Sequence, residues 1–269
     1  MTSSERHLLL GQPRWNYAVQ QYKPYRDVFC EKGLTSILFL ACGRHQTTRR
    51  CLLSTMDAIA NCPLEIEWIF MENGQDNDNF HLFQDLSIER KVIIRQRNFG
   101  INEAWNQMWA LSRGEFIMIH ENDFECHQNI DFLSIANDIM NEQPDVGVVQ
   151  LRAVNDPCEN WGYRKPEYSP WSSTHTALEN AKIKVWKEHT KKGHPYFLSI
   201  FPNGFNNNPC LIRKSLYREC GPYPESEVGT DPRYGETFYQ GLVAQTGCTT
   251  AHIGIELYYH GGQITTKAN

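Results

Sequence analysis

EFIMIHEND, residues 115–123, joins an apolar run to two acidic side chains. The run is typical of a buried strand, and Glu121 and Asp123 follow it at positions i and i+2. Two carboxylates with this spacing can reach one ligand from a turn at the end of a strand. A hard divalent cation together with the phosphate oxygens of a nucleotide fits such a pair. The alternative is a solvated acidic turn, which accounts for most isolated tripeptides of this kind, and in both cases the acids are expected outside the core.

Three further apolar runs precede this strand: LTSILFLA from residue 34, LEIEWIFME from residue 64 and KVIIRQ from residue 91. Apolar residues at helical spacing follow the first run and predict a helix there. A second set at helical spacing, over residues 101–111, precedes the acidic strand. Residues 73–79, NGQDNDN, are dense in turn formers and predict a loop. This alternation predicts an α/β fold with an open, mainly parallel sheet and helices on both faces. The first helix is expected to use Thr47 and Thr48 as caps and Cys51, Leu52, Thr55, Met56 and Ile59 as its apolar face.

The predicted sheet also indicates where a ligand binds. In open parallel sheets, ligands lie beyond the carboxyl ends of the strands. This rule places residues 41–44, 72–74, 98–100 and 121–123 around one crevice. The second half is less regular: residues 145–154 predict another strand, and the long polar and aromatic stretch that follows is expected to shape an acceptor side.

Composition and charge exclude several classes of protein. The net charge is −5 without a dense Lys/Arg block, so general nucleic-acid binding is not expected. No segment is apolar for the roughly 18 residues that a membrane span needs, and the N-terminal residues lack a signal-peptide pattern. Nine cysteines without a Cys-x-x-Cys pair favour free thiols. The expectation is a soluble, cytoplasmic protein.

Taken in order, these segments resemble the nucleotide-binding half of a family 2 glycosyltransferase of the GT-A fold. The matching motifs are M-E-N-G at 71–74, R-N-x-G-x-N-x-A-x-N at 97–106, S-x-G-E-F-I at 112–117 and the acidic cluster, followed by residues 211–225, 234–247 and 260–262. The resemblance implies a single Rossmann-like domain with an acceptor-side half. Its parts would be an N-terminal extension at 1–33, a nucleotide-sugar-binding half at 34–126 and an acceptor-binding, catalytic half at 127–269.

The resemblance also implies a metal and nucleotide site. Glu121 and Asp123 stand at the family's D-x-D positions, and His260 resembles the histidine that completes the metal site, so Mn²⁺ or Mg²⁺ is the expected cofactor. Glu121 is longer than the usual aspartate, which leaves the metal geometry open. Asn98, Gly100 and Asn106 suit equally well a turn former, a helix-cap region and an exposed helix residue. The implied nucleotide-sugar-binding residues are Ala41, Cys42, Gly43, Arg44, Glu72, Asn98, Gly100, Asn106, Glu121 and Asn122.

The catalytic and acceptor-side residues follow from the same resemblance. Glu236 lies where the family carries Glu-Asp, whose acid is the general base, but Thr237 replaces the second acid. Glu236 is therefore the candidate for the general base because of its position beside this site in the family pattern, and Asp231 is the second candidate. The alternative is that Glu236 only caps the start of a helix. Trp161 and Asn207 are the acceptor-side candidates, although core packing and a plain loop explain them as well.

The implied function is metal-dependent transfer of a sugar from a nucleotide-diphosphate sugar to a hydroxyl of a glycan or other acceptor, with inversion at the anomeric carbon. Two alternatives stay open. The chain could be a catalytically silent carbohydrate-binding module on the same fold, which Thr237 favours. A sugar-1-phosphate nucleotidyltransferase is the other, but residues 41–50 lack the glycine-rich, lysine-containing loop of that class.

Overall fold

The computed structural model describes residues 30–151, 186–199, 205, 209–223, 233–255 and 257–260. Strands and helices are numbered below in chain order. The strands are β1 (Glu31–Ala41), β2 (Glu65–Glu72), β3 (Lys91–Arg95), β4 (Gly114–Glu121), β5 (Phe124–Cys126), β6 (Val146–Gln150), β7 (Trp186–Lys191), β8 (His194–Ser199), β9 (Cys210–Arg213), β10 (Thr249–Ile253) and β11 (Tyr258–His260). The helices are α1 (His45–Ala58), α2 (Asn77–Asp85), α3 (Ile101–Leu111), α4 (Phe132–Glu142), α5 (Lys214–Cys220) and α6 (Arg233–Gln245).

Nine of the described strands form one sheet in the order β3-β2-β1-β4-β9-β6-β10-β8-β7. The first four pair in parallel, as do β6 and β10. Strand β9 lies antiparallel between β4 and β6, and β8 and β7 add an antiparallel hairpin beside β10. The remaining strands, β5 and β11, pair with each other. The prediction of an open, mainly parallel α/β sheet is confirmed, and its antiparallel strands belong to the second half of the chain.

Helices cover both faces of the sheet because successive side chains of a strand point to opposite faces. In β1, Ile37 and Phe39 contribute to a core cluster that also contains residues of α1, α2 and α4. Leu38 and Leu40 contribute to a second cluster, with residues of α3, α5 and α6. A strand buried on both faces is a continuous apolar run, which explains why the strands of the first half could be predicted.

Two expectations about the helices are wrong. Helix α2 lies within and after the stretch predicted as a loop, because β2 and β3 are parallel and need a crossover between them. It begins after Asp76, whose side chain accepts a hydrogen bond from the backbone N of Asn79. Thr47 and Thr48 do not cap α1: the helix begins at His45 with Arg44 at its N-cap, and both threonines are buried inside the first turn.

The N-terminal boundary also differs slightly from the expectation. Strand β1 begins at Glu31, three positions before the predicted apolar run, and residues 1–29 of the predicted extension lie outside the described residues. The eight described cysteines are free, as predicted. Among the described helices, none combines the length and apolar character needed to cross a bilayer.

Asn106 ties α3 to the segment after α5. It is fully buried, its Nδ2 donates to the carbonyl of Tyr223 (2.9 Å), and its Oδ1 accepts from the N–H of Tyr223 (2.7 Å). The alternative of an exposed helix residue is therefore wrong. The side-chain amide pairs with both backbone groups of a buried residue, which is a structural task.

Substitution of Asn106 by Ala should lower the free energy of unfolding by about 2–3 kcal/mol, because the polar backbone groups of Tyr223 then stay buried without these partners. Urea unfolding followed by circular dichroism measures the change. Gln107→Ala is the matched control, since Gln107 is the next residue of α3, is only partly buried and donates through Nε2 to Glu103 on the same helix. Equal unfolding midpoints for the Asn106 variant and the parent would contradict this role.

Candidate functional site

The carboxyl ends of the parallel strands meet at one edge of the sheet. Glu72, the last residue of β2, pairs with Ala41 of β1 on one side and with Arg95 of β3 on the other. Glu121, the last residue of β4, pairs with Leu40. The strand ends that were predicted to surround one crevice are therefore neighbours in the sheet, and the loops after β1, β2, β3 and β4 lie side by side.

The centre of this edge is the loop after β1, which we call the Gly43–Arg44 loop. Both residues have left-handed backbones, with φ of 62° for Gly43 and 53° for Arg44. The N–H of Gly43 donates to Glu72 Oε1 (3.2 Å). Its carbonyl accepts hydrogen bonds from Thr48 Oγ1 (3.0 Å), Asn79 Nδ2 (2.8 Å) and Asn122 Nδ2 (3.2 Å). Side chains from four different parts of the chain thus fix the backbone of Gly43 on both sides of its Cα.

Glu72 holds this loop through its carboxylate. Its carboxylate is fully buried, and its second oxygen accepts from Asn79 Nδ2 at 2.7 Å. Burial raises the pKa of Glu72, and the hydrogen bonds from Asn79 and Gly43 partly offset that rise. Gly74 leaves room for the carboxylate, because a Cβ there would lie 2.9 Å from Glu72 Oε1. Both carboxylate oxygens are therefore engaged within the protein, and Glu72 orients the loop at residues 41–44 that was expected to bind the nucleotide sugar.

Asn73 was expected beside the crevice only as a part of residues 72–74, and the sequence analysis assigned it no role. Its Nδ2 donates to Asn98 Oδ1 (3.3 Å) and to the carbonyl of Gly100 (3.2 Å), while its Oδ1 accepts from Gln96 Nε2 (2.9 Å). Asn98 Oδ1 also accepts from the N–H of Gly100, which closes a turn. Gly100 has φ 105°, a region that a side chain disfavours. The turn-former interpretation of Asn98 and Gly100 fits, and the sequence signal for Asn73 was its place directly after a strand-end acid, within the motif M-E-N-G at 71–74.

The acidic cluster lies against the Gly43–Arg44 loop. Asn122 Nδ2 donates to Thr48 Oγ1 (2.8 Å) as well as to the carbonyl of Gly43, and Asn122 Oδ1 accepts from Arg44 Nη2 (3.2 Å). Asp123 Oδ2 accepts from Arg44 Nη1 at 3.4 Å. Only Glu121 is partly exposed, whereas Asn122 and Asp123 are 3% and 8% exposed. The expectation that the aspartate lies outside the core is wrong, because the Gly43–Arg44 loop covers it.

A buried histidine supports the end of β4. His120 is fully buried, its Nδ1 lies 2.7 Å from the carbonyl of Glu121, and its Nε2 lies 2.8 Å from Thr55 Oγ1. Burial lowers the pKa of His120 to about 4, so the ring is neutral at pH 7. A neutral ring donates through Nδ1 to the carbonyl and accepts the threonine hydroxyl through Nε2. This pairing fixes the backbone from which Glu121 projects.

The small sheet brings the end of the described chain to the acidic cluster. Strand β11 pairs antiparallel with β5, so that His260 lies opposite Phe124, the neighbour of Asp123. The backbone thus brings His260 close to the predicted metal ligands, although its side chain is outside the described residues. Among the side chains that are described, no three of Asp, Glu, His and Cys converge on one point. Of the two predicted carboxylate ligands, Asp123 already contacts a cation, the guanidinium of Arg44, and carboxylate oxygens of this kind suit a hard divalent ion.

The other predicted residues are placed only in part. Glu236 belongs to the first turn of α6, where it was expected, and the predicted apolar residues Leu242 and Val243 of this helix are buried. The side chain of Glu236 is outside the described residues. Trp161, Asn207 and Asp231 also lie outside the part of the chain that is described.

Comparison with known proteins gives the same fold. The model of the family described as Glycosyl transferase family 2 matches residues 36–201. The mannosyltransferase PcManGT from Pyrobaculum calidifontis, solved with GDP-Man and Mn²⁺, aligns with a TM-score of 0.54 at 13% identity over 90% of this chain and 64% of that one. TarS 1-349 from S. aureus, solved with UDP-GlcNAc, aligns with a TM-score of 0.55 at 11% identity over 84% of this chain and 57% of that one.

Sequence identities this low support a common fold alone. The chemistry is argued from the residues of the site. The chain spans less than two thirds of the length of either solved structure. No curated protein gave a significant sequence match.

Proposed function

This chain belongs to glycosyl transferase family 2, and we propose that it moves a sugar from a nucleotide-diphosphate sugar to a hydroxyl of a glycan or other acceptor. The observation that carries the proposal is the contact between the Gly43–Arg44 loop and the acid Asp123 at the carboxyl edge of the sheet. This contact places a guanidinium and a carboxylate where the strand order of an open sheet puts a ligand. The solved structures of the same fold contain GDP-Man and UDP-GlcNAc, which supports a nucleotide sugar as donor.

A divalent cation, Mn²⁺ or Mg²⁺, is proposed as the cofactor. Glu121 and Asp123 would hold it, with His260 as a third ligand and diphosphate oxygens completing the shell. Bound there, the ion would neutralise the charge that develops on the departing diphosphate. Mn²⁺ in the Pyrobaculum calidifontis structure supports this choice.

The remaining residues divide between donor and acceptor. Cys42, which is exposed, the backbone of Ala41 and Gly43, and the turn at Asn98 and Gly100 are proposed to contact the nucleotide. Glu72, Asn106 and Asn122 would act on it indirectly, because their polar groups already bond to the protein. Trp161 and Asn207 are proposed on the acceptor side.

The chemical step is proposed to be a direct displacement with inversion. Glu236 takes the proton of the acceptor hydroxyl, the oxygen attacks the anomeric carbon, and the bond from that carbon to the nucleoside diphosphate breaks. Asp231 is the reserve for the base. A general base of this kind contributes roughly 10²–10⁴-fold to the rate.

Removal of the metal should separate an enzyme from a binding module. With Mn²⁺, calorimetry should show a UDP-sugar or a GDP-sugar binding roughly tenfold or more tightly than in EDTA, because the carboxylates otherwise repel the diphosphate. The same mixture should hydrolyse the donor slowly. Free glycan is the control ligand. Equal donor affinity with and without metal would exclude the metal-dependent mechanism. A protein that binds free glycan but binds none of the nucleotide sugars would instead be a carbohydrate-binding module.

A further inference from the structure

Arg44 has a backbone conformation that its side chain does not favour. It is the N-cap of α1 with φ 53° and ψ 48°, and its side chain makes no capping hydrogen bond to the helix. Residues with a Cβ avoid this left-handed region, and the exceptions are mostly Asn and Asp, whose short side chains bond locally. Nothing in the local helix start explains an arginine at this position. The strained conformation therefore needs another reason.

The surrounding contacts hold the strain in place. The N–H of Gly43 donates to Glu72, and the carbonyl of Gly43, which belongs to the peptide that leads into Arg44, accepts from Thr48, Asn79 and Asn122. A backbone that several side chains fix in this way cannot relax to a more favourable φ. Strain that persists under such constraint occurs mainly at ligand sites and switches.

The result is a guanidinium held beside the acidic turn. Arg44 Nη1 contacts Asp123 Oδ2 at 3.4 Å and Nη2 contacts Asn122 Oδ1 at 3.2 Å. The side chain of Arg44 is 43% exposed, whereas that of Asp123 is 12% exposed. The aspartate is therefore fixed and covered, while the guanidinium can leave it from the solvent side without disturbing the core.

We infer that Arg44 is an exchangeable counter-cation, which neutralises Asp123 when no donor is bound and moves to the diphosphate of the nucleotide once a divalent ion takes Asp123. The inference rests on the function proposed above and adds a role for Arg44 to it. A carboxylate oxygen that coordinates the ion no longer needs the guanidinium. The diphosphate brings several negative charges, and the planar fork of a guanidinium matches phosphate oxygens.

This exchange predicts two effects of opposite sign. Without nucleotide, Arg44 competes with the ion for Asp123, so loss of Arg44 strengthens binding of the metal alone. With metal present, Arg44 adds a contact to the diphosphate, so its loss weakens binding of the nucleotide. A residue that merely shaped the loop would weaken both.

The test uses Arg44→Gln and Arg44→Gly, with Arg50→Gln as the matched control. Arg50 is on the same helix and pairs with a different carboxylate, that of Glu125, at 3.6 Å. Arg44→Gly removes the same charge but favours the left-handed backbone, which separates charge from loop geometry. Binding of Mn²⁺ alone is followed by the electron paramagnetic resonance of free Mn²⁺, and binding of UDP and of GDP at saturating Mn²⁺ by calorimetry.

Both Arg44 variants should bind Mn²⁺ alone roughly threefold or more tightly than the parent. They should also bind the nucleoside diphosphate roughly tenfold more weakly. Arg50→Gln should change neither affinity by as much. Unchanged or weaker Mn²⁺ binding in both variants would overturn the inference, as would a loss in Arg44→Gln that Arg44→Gly restores. If the parent binds neither UDP nor GDP with Mn²⁺, the proposed function and this inference both fail. If the parent and both Arg44 variants bind the nucleoside diphosphate equally well, only the role of Arg44 is ruled out.

Discussion

Replacement of Asp123 by Asn should reduce sugar transfer by roughly 10²–10³-fold or more, while the protein stays folded. The substitution keeps the size of the side chain and removes the charge that the divalent ion and Arg44 both require. Asp123 is covered by the Gly43–Arg44 loop, so the change takes place in a site where water screens charge poorly. Initial rates at saturating donor, with Mn²⁺ titrated from low to high concentration, measure the effect.

Glu125→Gln is the control for this variant. Glu125 follows two residues later, is partly exposed and pairs with Arg50, so its neutralisation should leave transfer within about twofold. Circular dichroism and the urea midpoint establish that Asp123→Asn is folded. An active Asp123→Asn protein with an unchanged Mn²⁺ titration would exclude Asp123 as a metal ligand. Loss of folding would instead assign the carboxylate a structural role.

Glu236→Gln should lower the rate of transfer by roughly 10²-fold or more, with little change in donor affinity. Glutamine retains the shape of the side chain but cannot accept the proton of the acceptor hydroxyl. Glu236 belongs to the first turn of α6, and the N-terminus of a helix favours an ionised carboxylate, which is the form that a base requires. Steady-state kinetics with varied acceptor, combined with calorimetry for the donor, separates the chemical step from binding.

Two further variants complete this experiment. Gln245→Ala, at the other end of α6, should behave like the parent and controls for general damage to the helix. Asp231→Asn tests the reserve base. If Glu236→Gln transfers sugar normally and Asp231→Asn does not, the base is Asp231. Normal transfer by both would rule out the proposed mechanism.

The strands could be predicted because they carry their own signal. Strands β1, β2 and β4 each contain a short apolar run that is bounded by turn-forming or polar residues, which is typical of a buried parallel strand. Helix α2 was missed because its residues are mostly polar, and only the parallel pairing of β2 with β3 shows that a crossover must exist. Asn106 was misjudged for a related reason: an amide in a helix is usually exposed, and its partner Tyr223 lies 117 positions away.

The site was predicted in outline but not in detail. The rule that ligands bind at the carboxyl ends of parallel strands placed the acidic cluster beside the loop after β1. The left-handed backbone of Arg44 could not be predicted, because an arginine has no preference for it and the contacts that impose it come from distant residues. Asn79 and Asn122 reach the carbonyl of Gly43 from 36 and 79 positions away. Such contacts exist only once the sheet has formed.

The pairing of β5 with β11 determines when the acidic edge can be completed during folding. Tyr258 OH lies 3.3 Å from Thr55 Oγ1, a contact between residues 203 positions apart, and β11 is the last element described in the chain. Closing so long a loop costs entropy that is recovered only after both ends have packed. On a growing polypeptide, the strands of the first half can assemble early. Among the described elements, the backbone opposite Phe124 is supplied last, so the edge that contains Asp123 is completed only after β11 has emerged.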